Sequence, residues 1–235
     1  MNIVDYIILG VMLISTVFGF YRGFIHSIAG LGATIGSVFI AYWQTPNLVS
    51  WLQANTGITE TLVYYTDASS RIGDLQLALT NVAGAAQGTI QTVLDKVALP
   101  KPISDILSFN LQNQVFAGSG ASTVSDYLSQ TIVGVMLNIL CFVAIFIVAF
   151  ILLSVLLNML RAVFRFPLLK HLDTLLGGAA GFARGAIIVF VIFLLLPMVE
   201  SVVPMQSVQK LVDESLLAGI FDSGKLLMMI INRSM

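Results

Sequence analysis

Four long runs of apolar residues constrain this chain more than any other feature of its sequence. Residues 6–21, 24–43 and 127–160 contain no Asp, Glu, Lys or Arg, and residues 174–199 contain only Arg184. A helix needs about 20 mostly apolar residues to cross the hydrocarbon core of a membrane. The runs therefore predict an all-α, polytopic membrane protein with four transmembrane helices.

The composition agrees with this class of protein and argues against others. Charged residues make up 10% of the chain, against about 25% in an average soluble domain, and the mean hydropathy is +0.95. A formal net charge of -1 provides no basic field for nucleic acid. The two histidines and the single cysteine lie in separate segments. We therefore expect no metal site, no cofactor, no catalytic residue and no enzymatic activity.

The apolar runs divide the chain into four parts. Residues 1–43 predict a transmembrane hairpin, and residues 44–126 predict an extracytoplasmic helical loop with six acidic and three basic side chains. Residues 127–200 predict the third and fourth spans around a basic cytoplasmic loop at 161–173. Residues 201–235 predict an interfacial amphipathic tail.

The spacing of apolar residues predicts two helices outside the spans. Between residues 71 and 99 these residues follow helical periodicity until Pro100 and Pro102 end the pattern, which predicts one amphipathic helix. Between residues 208 and 225 one apolar face alternates with charged residues, which predicts a helix on the membrane surface.

A pattern of five residues, Gly-Phe-x-Arg-Gly, occurs at 19–23 and again at 181–185. Small residues recur every four positions through both copies, which lets a neighbouring helix pack closely. Both arginines are therefore expected at crowded helix crossings, although an arginine at the centre of a span costs about 2.5–3.5 kcal/mol. A straight fourth helix would place Arg184 about 15 Å deep, and a break at the glycines would place it near the interface. The sequence leaves both open.

The distribution of basic residues predicts the orientation. Lys and Arg concentrate at Arg22 and between residues 161 and 170, so the positive-inside rule predicts that both short loops are cytoplasmic and that both termini are extracytoplasmic. The second and fourth helices then run in the same direction, and each carries one motif copy. This predicts a parallel repeat of two helices. We expect Arg22 and Arg184 to act as structural anchors whose partners are helix carbonyls and lipid phosphate.

At these residues the chain resembles the CvpA family, the colicin V production proteins of bacteria. The resemblance rests on Val4-Asp5-Tyr6-Ile7-Ile8, on both motif copies, and on the run from Leu172 to Gly177. The long loop looks like the version in Gram-positive relatives. The residues that carry the family pattern are Asp5, Gly19, Arg22, Gly23, Asp173, Gly177, Gly181, Arg184 and Gly185. The resemblance implies a multi-pass protein of the bacterial plasma membrane, linked to toxin production or export and to envelope homeostasis, with no established catalytic residue or ligand.

Three functions are compatible with the sequence. The first is an accessory protein of the bacterial envelope. The second is a small transporter or channel in which Arg22 and Arg184 line a polar path, although polar groups inside the predicted spans are scarce. The third is a scaffold that holds an envelope enzyme or a secretion partner through residues 44–126. The lipid bilayer is the expected partner in all three, and a homo-oligomer is compatible with each.

Overall fold

The computed structural model describes residues 1–66, 68–83, 87–97, 99–116, 119–163, 170–202, 206–221 and 229–231. The helices are α1 (Ile3–Arg22), α2 (Phe24–Asn55), α3 (Ile58–Thr66), α4 (Ala68–Ile72), α5 (Leu75–Ala78), α6 (Gln87–Val97), α7 (Lys101–Asn113), α8 (Val124–Val163), α9 (Lys170–Val202) and α10 (Gln206–Asp213), followed by a 3₁₀ turn at Ala218–Phe221. Within the described residues no strand forms, and β pairing is limited to one isolated bridge between Asn81 and Thr123. The all-α class is confirmed.

Four of these helices are long and apolar enough to cross a membrane, which confirms the predicted number of spans. They comprise α1, α2, the part of α8 from Val124 to Met159, and the part of α9 from Asp173 to Pro197. Helix α8 has 40 residues and is therefore about 60 Å long, twice the thickness of a hydrocarbon core of about 30 Å. Part of α8 must therefore extend beyond that core.

Helix α2 is longer than its apolar run. The run ends at Trp43, but the helix continues through Pro46 to Asn55. Interfacial aromatic residues mark where a chain leaves the hydrocarbon. They do not interrupt the backbone hydrogen bonds, so a helix can continue into water. The end of the hydrophobic run was therefore a poor guide to the end of the helix.

The described chain separates into two compact units. The first comprises Met1–Thr45, Leu140–Leu195 and Met205–Ser223, and the second comprises Pro46–Ile139, Leu196–Pro204 and Gly224–Met235. The first unit contains both copies of the repeated motif. Residues 164–169 of the predicted basic loop, and residues 203–205, 222–228 and 232–235 of the predicted tail, lie outside the described residues.

The prediction of one helix from residue 71 to residue 99 is wrong. The second unit has three short helices there, because Gly73 adopts a left-handed φ of 65° and Asp74 accepts a hydrogen bond from the Leu77 amide at 3.2 Å to start α5. The Val82 amide then donates to the Ser122 carbonyl at 2.9 Å instead of continuing a helix. Helix α7 begins after Pro100, which takes the N-cap position, and Pro102 lies in its first turn, where proline is tolerated.

The single amphipathic helix predicted from 208 to 225 is also wrong in its extent. Helix α10 ends at Asp213, and a 3₁₀ turn follows at Ala218–Phe221. The chain leaves the helix because the carboxylate of Asp5, on α1, accepts hydrogen bonds from Ser215 Oγ at 2.6 Å and from the Leu217 amide at 3.0 Å. Periodicity of the sequence cannot reveal an acceptor that is more than 200 residues away.

Candidate site at a glycine-lined helix crossing

The first motif copy ends in a sharp break between α1 and α2. Gly23 has a φ of 75°, which a residue with a side chain rarely adopts. A Cβ built on Gly23 would lie 2.2 Å from Asp173 Oδ2, so a side chain there would have to displace that carboxylate. The backbone conformation favours glycine, and the contact with Asp173 adds a second cost for any side chain.

Asp173 caps the start of α2 from another helix. Its Oδ1 accepts a hydrogen bond from the Phe24 amide at 2.8 Å, one of the amides at a helix start that have no partner within the helix. Asp173 lies in the first turn of α9. The interaction therefore holds the start of α9 against the junction between α1 and α2.

Helices α1 and α9 touch through their backbones. A Cβ on Gly19 would lie 2.3 Å from the Gly177 carbonyl oxygen, and one on Gly177 would lie 2.6 Å from the Gly19 oxygen. A Cβ on Gly181 would lie 2.5 Å from the Ser15 oxygen. Ser15 Oγ donates a hydrogen bond to the Gly181 carbonyl at 2.7 Å. The crossing admits no side chain larger than hydrogen at these three glycines.

The pairing of residues fixes the direction of each helix. Along α1, Ser15 lies beside Gly181 and Gly19 lies beside Gly177, so α1 and α9 are antiparallel. Gly23, directly before α2, lies beside Gly177, and Gly30 on α2 lies beside Arg184. Helices α2 and α9 therefore run in the same direction, as a parallel repeat requires.

The two motif copies nevertheless differ in local structure. The first spans a helix end, whereas the second lies inside α9, which is continuous from Lys170 to Val202. A Cβ on Gly185 would lie 3.0 Å from Ser15 Cβ and 3.2 Å from Met12 Cα, a milder overlap than at Gly19. Of the two alternatives, the one observed is a fourth helix that is continuous through the glycines.

The two arginines have aromatic partners. Arg184 is half-buried, and its Cζ lies 5.4 Å from the centroid of the Phe150 ring. A Cβ on Gly30 would lie 3.3 Å from Arg184 Nη1, so the guanidinium packs against α2 where α2 has no side chain. Arg22 is exposed, and its Cζ lies 5.6 Å from the Phe18 ring. Such cation–π contacts stabilise by about 0.5–2 kcal/mol.

Asp5 does not join this crossing. It lies 17 residues before Arg22, about 26 Å along α1, and is fully buried. Besides Ser215 and Leu217, the Asn2 amide donates to Asp5 Oδ2 at 2.8 Å. The Asn2 side chain accepts from Val4 N at 3.0 Å and donates to the Leu211 carbonyl. Asn2 thus holds α10, and Asp5 the segment after it, against the start of α1.

The nine residues of the family pattern therefore lie at two locations in the structure. The crossing of α1, α2 and α9 brings together Gly19, Arg22, Gly23, Asp173, Gly177, Gly181, Arg184 and Gly185. Asp5 stands apart at the other end of α1. No pattern in the sequence indicated that Phe150 would contact Arg184. The spacing of Asn2 and Asp5, three residues apart, could have been recognised as a capping box.

Comparison with known proteins identifies one family. The model of the family described as "Colicin V production protein" matches residues 4–73 and 112–225, a range that includes every residue of the crossing and all or most of each span. The stretch between the two matched parts lies in the second unit. Neither the curated proteins nor the solved structures provide a match.

Proposed function

The chain belongs to the colicin V production protein family, and on this premise we propose that it is a multi-pass accessory protein of the bacterial plasma membrane. In this proposal it supports the production or export of a peptide toxin and the homeostasis of the envelope, and it is not an enzyme. The family itself suggests the coarser role, a membrane-associated contribution to colicin V production.

One observation carries the proposal. The residues of the family pattern at the crossing are engaged in holding helices together, since backbone contacts occupy Gly19, Gly177 and Gly181 and a helix cap occupies Asp173. Groups engaged in this way fix the relative positions of α1, α2 and α9. This favours a protein that presents a fixed membrane surface over one that performs chemistry at the motif.

The proposal includes an orientation. Basic residues near Arg22 would face the cytoplasm, and residues 44–126 would face outward. Single cysteines at Gln53 and at Tyr21, both exposed, test this in a Cys141→Ser background. An impermeant thiol reagent should label the first in intact cells and the second only after the membrane is opened. The reverse pattern would overturn the orientation.

The outward loop is the proposed contact for an envelope or secretion partner. Trp51, Tyr64 and Tyr65 are exposed in the second unit, and exposed aromatic side chains are enriched where proteins bind one another. A photo-crosslinking residue at Tyr64 should capture a discrete protein. Capture at the same yield from an exposed control position in the same unit, Gln112, would show that the contact is not specific.

The decisive experiment is genetic. Deletion of the gene in its native bacterium should reduce toxin export and raise the envelope-stress response, and the wild-type gene should restore both. If deletion changes neither, the accessory role is wrong.

A second function, a small transporter or channel, is favoured by one observation. Arg184 lies inside a span, and its Nε is buried without a hydrogen-bond partner, as a solute ligand would be before binding. Flux of a small anion into reconstituted vesicles, lost in Arg184→Ala at normal folded yield, would support this function over the accessory one.

A further inference from the structure

The guanidinium of Arg184 lies within a membrane span and has no acidic partner among the described residues. Counted from Asp173, where the span begins, Arg184 lies about 17 Å along α9. Its Nε is buried and makes no hydrogen bond, and none of the ion pairs in the described chain includes it. An unpaired cation in such a place is unfavourable, because little water or protein compensates its lost hydration.

A second positive charge makes the position of Arg184 less favourable. Arg22 acts on Arg184 electrostatically with the same sign. A helical side chain generally leans toward the N-terminal end of its own helix, and for Arg184 that is the end of α9 where Asp173 contacts the junction between α1 and α2. Asp173 is at that end, but it accepts from the Phe24 amide and forms no ion pair with either arginine.

The contacts of Arg184 leave its donors unused. Phe150 lies at 5.4 Å from Cζ, and a cation–π contact of this kind uses the charge of the guanidinium but not its N–H groups. Gly30 has no side chain and allows Nη1 to lie against α2. A guanidinium carries five N–H donors in its plane, and no acceptor in the described chain takes one from Arg184.

We propose that Arg184 and Arg22 together bind a phosphate-type oxyanion, supplied either by the headgroup of an anionic phospholipid or by free phosphate. A tetrahedral oxyanion presents several acceptor oxygens and can bridge two guanidinium forks, whereas a carboxylate matches only one planar fork. Its negative charge would also relieve the repulsion between the two arginines. This binding goes beyond the accessory role and does not depend on it.

The test uses the full-length protein, purified and delipidated in a nonionic detergent. Dihexanoyl phosphatidylglycerol and inorganic phosphate are titrated separately, and the thermal midpoint is the readout. A ligand that binds the folded state raises this midpoint in a saturable way. A rise with the lipid alone assigns the oxyanion to a headgroup, and a rise with phosphate shows that the free ion suffices. No rise with either overturns the proposal.

Variants locate the binding at the arginines. Arg184→Gln should weaken binding by about tenfold or more, since it removes charged hydrogen bonds. The matched control is Arg71→Gln, whose Nε donates to the Thr66 carbonyl in the second unit, and it should bind as wild type does. Unchanged affinity of Arg184→Gln overturns the proposal. If that variant does not fold, Arg22→Gln decides: a similar loss supports the site, and unchanged affinity overturns it.

Discussion

The two copies of Gly-Phe-x-Arg-Gly have nearly the same sequence and different structures. In the first copy the last glycine breaks the chain at a φ of 75°, and in the second the last glycine lies within a continuous helix. The copies meet because α1 and α9 cross at their shared small residues. Both copies therefore require close backbone contact, whereas the helix break belongs to the first copy alone.

The largest effect is expected where backbone meets backbone. Gly19→Ala would place Cβ 2.3 Å from the Gly177 carbonyl oxygen, and neither helix can move aside without losing the crossing. We expect a loss of about 3 kcal/mol and a low folded yield by size-exclusion chromatography in detergent. Gly10→Ala is the control on the same helix, because no atom lies within 4 Å of its Cβ. Equal yields for the two variants would remove the crossing as the cause.

The next experiment compares the fifth position of each copy directly. Gly23→Ala should destabilise by about 2 kcal/mol, from backbone strain and displacement of Asp173. Gly185→Ala should change stability by about 1 kcal/mol or less, because the gain in helix propensity offsets a mild overlap. Thermal midpoints in detergent measure both, with Gly32→Ala as an unobstructed control on α2. A Gly185→Ala effect as large as that of Gly23→Ala would make the copies equivalent.

The cap on α2 provides a smaller effect. Asp173→Ala removes the acceptor of the Phe24 amide and should cost about 1 kcal/mol, as loss of a helix cap does. Asp173→Asn keeps an acceptor oxygen and should retain part of the stability. Thermal midpoints in detergent measure both variants. If Asp173→Asn is as unstable as Asp173→Ala, the cap is contradicted.

The smallest effect concerns a helix cap outside the spans. The hydrogen bond from Lys96, followed by the one from the Leu77 amide, lowers the pKa of Asp74 below its ordinary value. The stabilisation is therefore present above the ordinary pKa and lost as the pH falls through the lowered one, in the range below about pH 4. Asp74 and Lys96 are exposed, so solvent screens the pair. The protection factor of the Leu77 amide, which allows for the intrinsic pH dependence of exchange, should fall at acid pH in the wild type and be low already at neutral pH in Asp74→Ala, which has no acceptor oxygen, while protection in α8 stays unchanged in the variant.

The membrane class, the four spans and the family follow from the sequence because each depends on local properties. Apolar runs indicate directly which helices can be transferred into hydrocarbon. A short motif can be recognised from its residues alone. The small-residue spacing around Gly19 and Gly181 also predicted a close crossing, since one helix face is defined by positions along a single helix.

Only the tertiary structure decided how these pieces meet. The sequence left open whether the chain breaks at the glycines before Arg184, and α9 is continuous there. The sequence could not show that Asp5 would end the C-terminal helix, or that Asp173 would cap α2. Both interactions depend on an acceptor that the fold brings from a distant part of the chain. Periodicity describes one helix at a time, whereas caps, breaks and unpaired charges are set by the neighbours that the fold supplies.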